Sequence, residues 1–516
     1  MPALERANRV DQQLVPSNEC EVIACDRQAS LWHHTAVKRY VLLNIGHLVS
    51  RAALVITTVY LGRMLGVRSF GIVMYFQAAA ILLAMGTDCG LAWQASHELA
   101  RIYGERGYKD ELLRSFNRVS SLRLALASLL CAGWWAATYS SEFLAAHRPL
   151  LLAFGLSFFI SAIAPEWVLI AVGHTRALVV GRVIRSLAFL GLIVALVGTS
   201  LEETWVGVAY TLAFAISAGY LLLHLRRHWG WTPQLSMERK PLQTLLRAIP
   251  FFAFTGLGQL FLLIGLLASR WFVGPEDVGL YAAAFRLAVT FVPLSFFVVT
   301  ALMPEIGASS IAALPATVGF LMICCAALGL PLVVVGALES KTLLQAVLGT
   351  AYAPAGPLFG ILLYGLPLQG VALLAAAALN QMGRARRVMT VITISALLQV
   401  PMAAVATKML GPVGVAVATD VGILICASAL CAMLKGLLKE SGLTLIGLLL
   451  GAAAMHIGLY AMVTRISWCS SLAARLALEG CVATGYVLLL KRFGIDPRAL
   501  LQSHLKSPLS VTFTRY

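Results

Sequence analysis

Apolar residues fill this chain in long runs, and the polar positions fall mostly between them. A helix that crosses a bilayer needs about 20 apolar residues. About fourteen runs of that length are present. Six come first, at 40–61, 71–94, 122–139, 150–173, 177–198 and 205–223. Past a basic segment follow 248–272, 279–303, 314–338, 355–379, 388–409 and 413–433, then 443–462 and 468–490. The pattern predicts an all-α polytopic membrane protein. The first run is not uniformly apolar. Asn44, His47 and Arg51 recur at i, i+3 and i+7, so they share one helix face. An arginine at the bilayer centre costs about 2.5–3.5 kcal/mol on insertion scales. That stripe is therefore expected to face protein or water.

Between the runs the basic residues are unevenly shared. With the N-terminus cytoplasmic, one side collects Arg101, Arg106, Lys109, Arg114 and Arg118. It also takes Arg226, Arg227, Arg239, Lys240 and Arg247, then Arg384, Arg386 and Arg387. The other side holds fewer, among them Arg63, Arg68, Arg148 and Arg270. Cytoplasmic loops concentrate Lys and Arg, so both termini are expected to be cytoplasmic. The segment 97–121 is charged and amphipathic and is expected along the cytoplasmic membrane surface.

The division expected from these runs is a cytosolic tail over 1–39, a first six-span lobe over 40–224 and a central cytoplasmic loop over 225–247. A second six-span lobe over 248–434, two further spans over 435–490 and a tail over 491–516 follow. A short internal repeat supports the cut. Arg63 is followed by Gly66, Phe70 and Gly71, and Arg270 by Gly274, Val278 and Gly279, so the paired glycines have the same spacing. Both joints are expected on the outer side, which makes the lobes parallel repeats. Prolines 165, 293, 331, 367 and 401 fall inside runs, where each either breaks the helix around a cavity or is tolerated as a kink.

Composition narrows the class. The 516 residues are 59% hydrophobic and 12% charged, with a mean hydropathy of +0.85. Soluble domains carry about 25% charged residues. The net charge of +16 belongs with cytoplasmic loops, since no patch interleaves aromatic and basic residues as single-strand binders do. No cleavable signal is read at the start. Cys20 and Cys25 precede His33 and His34, but their spacing is not that of the usual zinc motifs. No metal or cofactor is expected, and the cysteines inside apolar runs read as small packing residues.

The chemistry-bearing residues are the arginines set inside runs: Arg51, Arg182, Arg185 and Arg286, with Arg270 at the end of the seventh. Arg182 and Arg185 share a face near the cytoplasmic end of theirs, so cavity lining and snorkelling to the surface both fit. Intramembrane acids are fewer: Asp88, Glu166 and Asp420 among them. Asp88 reads either as the partner of one of these arginines or as a proton-coupling group. His47 reads as a group titrating near neutral pH or as polar packing.

Several motifs together resemble one family. Asn44 and Arg51, then Leu65-Gly66 and Phe70-Gly71, are similar to the start of bacterial polysaccharide flippases of the multidrug/oligosaccharidyl-lipid/polysaccharide exporter superfamily. The stretch from Gly274 to Arg286, Leu348-Gly349 through Tyr352 and Ala355, Asn380 to Arg384, and Gly411 to Thr419 agree. The resemblance implies two six-helix lobes facing each other across a central cavity, plus two C-terminal helices. It implies a carrier, not an enzyme, moving undecaprenyl-pyrophosphate-linked oligosaccharide between leaflets of the inner membrane. Exopolysaccharide, capsule or O-antigen assembly would use the product, with a polymerase or chain-length complex as a possible partner. The cavity set is then Asn44, His47, Arg51, Arg182, Arg185, Arg270 and Arg286. A drug-cation exporter of the same superfamily would place acids in its first spans, and none is in the first run here. A lipid II flippase shares the cargo head group. A membrane polymerase would need a large outer loop or soluble domain, and neither is seen.

Overall fold

The computed structural model describes residues 18–102, 108–200, 202–232, 234, 236, 240–290, 318–319, 321–322, 333–334 and 336–434, with side chains from Leu48 onward in the first helix. The runs at 443–462 and 468–490, the C-terminal tail, Pro293 and Pro331 lie outside these residues. So do the side chains of Asn44, His47, Cys20, Cys25, His33 and His34.

The first helix, α1, spans Asn18–Asp88 and is interrupted only at Gly66, whose φ of 73° and ψ of 173° no helix contains. Residues 18–39, expected as a tail, are helical and continuous with the first run. No Gly or Pro lies between Asn18 and Ile45 to stop propagation. The apolar part of α1, Leu48–Asp88, is 41 residues long. At 1.5 Å per residue that is about twice the thickness of a hydrocarbon core, so it holds two crossings with the joint at Gly66.

A left-handed pair, Cys89 (φ 44°) and Gly90 (φ 82°), turns the chain after Asp88. The second run thus stops short of its expected end at residue 94. Helix α2, Leu91–Arg101, follows, and α3 covers Tyr108–Ala137. The segment 97–121 does not lie apart on a membrane surface. Leu91, Ala95 and Leu99 of α2 and Leu112, Phe116 and Val119 of α3 are buried in one cluster with Trp167, Leu225 and Ala248. Their i, i+4, i+7 or i+8 spacing gives each helix one apolar face to bury, which the surrounding charges masked.

Then come α4, Glu142–Ala146, α5, Arg148–Ile163, and α6, Glu166–Ala171. Ala164 is extended and Pro165 caps α6, so this proline does break its run. Helix α7 is Thr175–Ser200, α8 is Glu203–Trp229 and α9 is Pro241–Phe272. Between α8 and α9 the chain is docked on α3: Trp231 Nε1 donates to Asn117 Oδ1 at 2.9 Å, and the Ser236 amide to Ser121 Oγ at 3.0 Å. Helix α10 covers 275–290, and α11 is Ser340–Leu348. Helices α12, Gly356–Gln381, and α13, Ala385–Leu410, run through Pro367 and Pro401. Helix α14 is Val413–Ala432. Among the described residues eight helices are long and apolar enough to cross a membrane.

The repeat glycines touch each other. A Cβ on Gly71 would lie 2.6 Å from Gly279 Cα and 3.0 Å from the Pro275 carbonyl oxygen, and one on Gly279 would overlap the Val67 carbonyl oxygen. Val67 and Pro275 each stand four residues before their glycine, so the contact is reciprocal. Backbones this close admit only hydrogen at Cα. Around this point the early and late helices are joined further. Arg63 donates to the carbonyls of Val347 and Ala346 at 2.8 and 2.7 Å. Tyr352 donates to the Gly62 carbonyl at 2.9 Å and packs edge-on against Phe70. Arg270, the repeat counterpart of Arg63, crosses the other way and stacks over the Phe143 ring at 4.7 Å.

Candidate functional site

Two adjoining cavities lie among α1, α3, α5, α6, α7 and α8. One, of about 330 Å³, is lined by Asp88, Arg123, Glu166, Arg182, Arg185 and Phe214, among others. The other, of about 280 Å³, shares Asp88, Trp93, Ser161 and Phe214 with it and extends to Ser157, Tyr210 and Phe252. The break at Pro165 opens this space, because α6 starts on a new axis and carries Glu166 into it.

Arg185 sits 3.5 Å from Glu166 Oε1 and 4.6 Å above the Phe214 ring. Both contacts leave donors of its guanidinium for a further acceptor, since arginine has five. Arg286 of α10 donates to Gln77 Oε1 of α1. Tyr210 lies within Coulombic reach of both Arg185 and Arg286, and Arg51 within reach of Arg286. Arg51 is exposed, and no described residue forms an ion pair with it.

Of the arginines singled out in the sequence, Arg182 and Arg185 line this space, and Arg51 and Arg286 are not among the lining residues of either cavity. Nor is Arg270. It lies at the far end of α9 against Phe143, near Tyr75. It stands two residues before the end of α9, as its place at the end of the seventh run implied. Asn44 and His47 have a backbone place on α1, and their side chains lie outside the described residues.

Asp88 does have an arginine partner, but not one of those selected. Its Oδ1 is 3.2 Å from Arg123 Nε and accepts the Ala92 amide at 3.1 Å, capping α2. Arg123 Nη2 donates to the Ser161 carbonyl at 2.8 Å. Arg123 was passed over because it sits at the second position of its run, where snorkelling is the ordinary expectation. Its signal was to be the one arginine in the run 122–139. Gln77 and Tyr210 were also missed, being neutral groups in apolar surroundings. Asp420 is intramembrane, with the Tyr281–Thr419 hydroxyl pair at 3.0 Å beside it, but on α14 it is remote in the chain from this cluster.

The pairing assigns Asp88 a positioning role with a measurable cost. Asp88→Asn leaves Arg123, 6% exposed, without its counter-charge. Removing one partner of a fully buried pair costs about 3–5 kcal/mol. The 20% exposure of the Asp88 side chain sets the expected loss below that range. Thermal melting in detergent should register it. A variant of unchanged stability whose transport loses its pH dependence would instead make Asp88 a proton-coupling residue.

Eight long apolar helices among the described residues, around an interior lined by Arg123, Arg182 and Arg185, make this a multi-pass membrane protein. The chain belongs to the polysaccharide biosynthesis protein family, whose model matches residues 36–310. Comparison with curated protein sequences returns no match. Among solved structures it is similar to a lipid II flippase, MurJ, in an inward closed conformation, with a TM-score of 0.70 and 15% identity over 88% of this chain and 100% of that one. It is also similar to an inward-facing multidrug resistance MATE family transporter of the MOP superfamily, with a TM-score of 0.60 and 15% identity over 80% of this chain and 98% of that one. An outward-facing MATE family structure gives 0.54 and 16% identity over 80% and 96%. These likenesses establish the fold.

Proposed function

We propose that this protein carries undecaprenyl-pyrophosphate-linked oligosaccharide repeat units from the inner to the outer leaflet of the bacterial inner membrane by alternating access. Exopolysaccharide, capsule or O-antigen assembly would receive them. The observation that carries this reading is the charge of the cavity. Arg123, Arg182 and Arg185 line it, while its two carboxylates, Asp88 and Glu166, face Arg123 and Arg185, which leaves Arg182 as the unmatched charge. The surplus is positive, as a pyrophosphate requires. Arginine suits phosphate because its planar fork bonds two oxygens at once. Trp93, Tyr210 and Phe214 supply flat faces for sugar rings. A cationic drug would meet repulsion here. Lipid II has the same pyrophosphate, so the two cargos differ only in their sugars.

The reading takes the two groups of six helices as lobes, with both termini cytoplasmic. The joint at Gly71 and Gly279 is then the outer end, and its closure corresponds to an inward-open state. Reporter fusions after Arg118 and Lys240 should read cytoplasmic, and one at Glu202 periplasmic. An outside signal at Lys240 would break the two-lobe division.

Transport is tested in proteoliposomes loaded with fluorescent lipid-linked oligosaccharide. Wild-type protein should make the inner-leaflet pool accessible to an outside reagent, and the lipid-linked sugar should remain chemically unchanged. New glycosidic bonds or released pyrophosphate would move the protein into the enzyme class. Faster movement of lipid II than of any oligosaccharide carrier would shift the cargo assignment.

A further inference from the structure

A third cavity, of about 350 Å³, lies on the other side of α2 and shares no lining residue with the arginine-lined cavity. Its walls are Gln94 and Glu98 of α2, Arg118 of α3, and Lys240, Gln243 and Arg247 at the start of α9. Among the described residues its lining holds three cations and one carboxylate. That carboxylate accepts from Gln94 Nε2 at 2.9 Å, which holds it to the α2 wall. The first turn of α9 has Pro at its start and no side-chain cap, so its orphan N–H groups add to the positive field. The floor is apolar, made by Leu91, Ala95, Val119 and Leu122.

The flank of this cavity decides what fits it. Leu242, Leu246 and Ile249 of α9 are 69%, 58% and 49% exposed. They recur at i, i+4 and i+7, forming an apolar stripe beside the face that carries Gln243 and Arg247. A soluble anion has no use for such a stripe. A phospholipid has both parts, a phosphate for the cations and chains for the leucines. Basic pockets between helices on the cytoplasmic side are suited to anionic headgroups.

We propose that this cavity binds the phosphate headgroup of an anionic phospholipid of the cytoplasmic leaflet, with its chains laid along Leu242, Leu246 and Ile249. The bound lipid bridges α2 and α3 to α9. The proposal does not depend on which cargo the protein carries.

Native mass spectrometry of the full chain tests it, with phosphatidylglycerol, phosphatidylcholine and inorganic phosphate as probes. Wild-type protein should retain phosphatidylglycerol over phosphatidylcholine, and millimolar phosphate should not displace it. The triple variant Arg118→Gln/Lys240→Gln/Arg247→Gln should lose about tenfold in phosphatidylglycerol retention. Leu242→Ser/Leu246→Ser should weaken retention of the lipid as well. If the triple variant does not fold, Lys240→Glu, at an exposed residue, carries the same expectation. Equal retention of the two lipids, full retention by the charge variants, or displacement by phosphate alone would overturn the proposal, the last by making the site one for a soluble anion.

Discussion

Arg51→Ala should yield a protein that inserts, folds and fails to transport. The substitution removes a costly charge from the first span, so protein level should be maintained or rise. What it takes away is an exposed guanidinium that is proposed to meet the cargo's pyrophosphate. A hydrogen bond to a charged group contributes about 1.5–3 kcal/mol, or roughly 10- to 150-fold in cargo affinity. Lipid-linked repeat units should accumulate on the inner leaflet. Arg51→Lys should restore only part of the rate, because an ammonium lacks the bidentate fork. Arg286→Gln should fail in the same way while keeping an uncharged side chain beside Gln77. If Arg51→Ala exports polymer at the wild-type rate and level, the polar stripe of the first helix is structural and the site assignment fails.

Gly279→Val should act on conformation rather than on binding. Its side chain has no room beside Val67, whose carbonyl oxygen already lies where a Cβ would be. The helices must part at this end for the variant to fold. Overpacking of this kind costs about 1–3 kcal/mol, enough to shift a two-state balance by roughly 5- to 150-fold. The variant should favour the state open at the Gly71–Gly279 end. A cysteine pair across the joint should cross-link readily in wild type and poorly in Gly279→Val. Undiminished cross-linking would show that neighbouring residues absorb the side chain and that the contact does not govern the balance.

The apolar runs made the helices legible because lipid imposes one length on all of them. The breaks were legible only where a residue dictates them. Gly66 was visible as a joint, while Pro165 read equally as a break or a tolerated kink. The end of α1 at Asp88 was not, since a left-handed Cys89 has no signature in sequence. The early start of α3 was hidden because its Leu112, Phe116 and Val119 face is diluted by charges that point outward. Among candidate site residues, arginines announced themselves by their cost in lipid, and two of them, Arg182 and Arg185, line one cavity. What that cost could not supply was depth along the helix, which separates Arg270 from Arg286. Nor could it give pairing between helices, which decides that Asp88 belongs to Arg123.

The reciprocal placement of Gly71 on Pro275 and Gly279 on Val67 has the form of an isologous interface, in which one surface patch meets its own equivalent about a two-fold axis. A free-standing unit presenting that patch would pair with an identical copy, glycine against glycine, and would depend on concentration to stay paired. Carrying both patches in one chain removes that dependence. A substitution at either glycine therefore presses on the opposite helix as well as on its own.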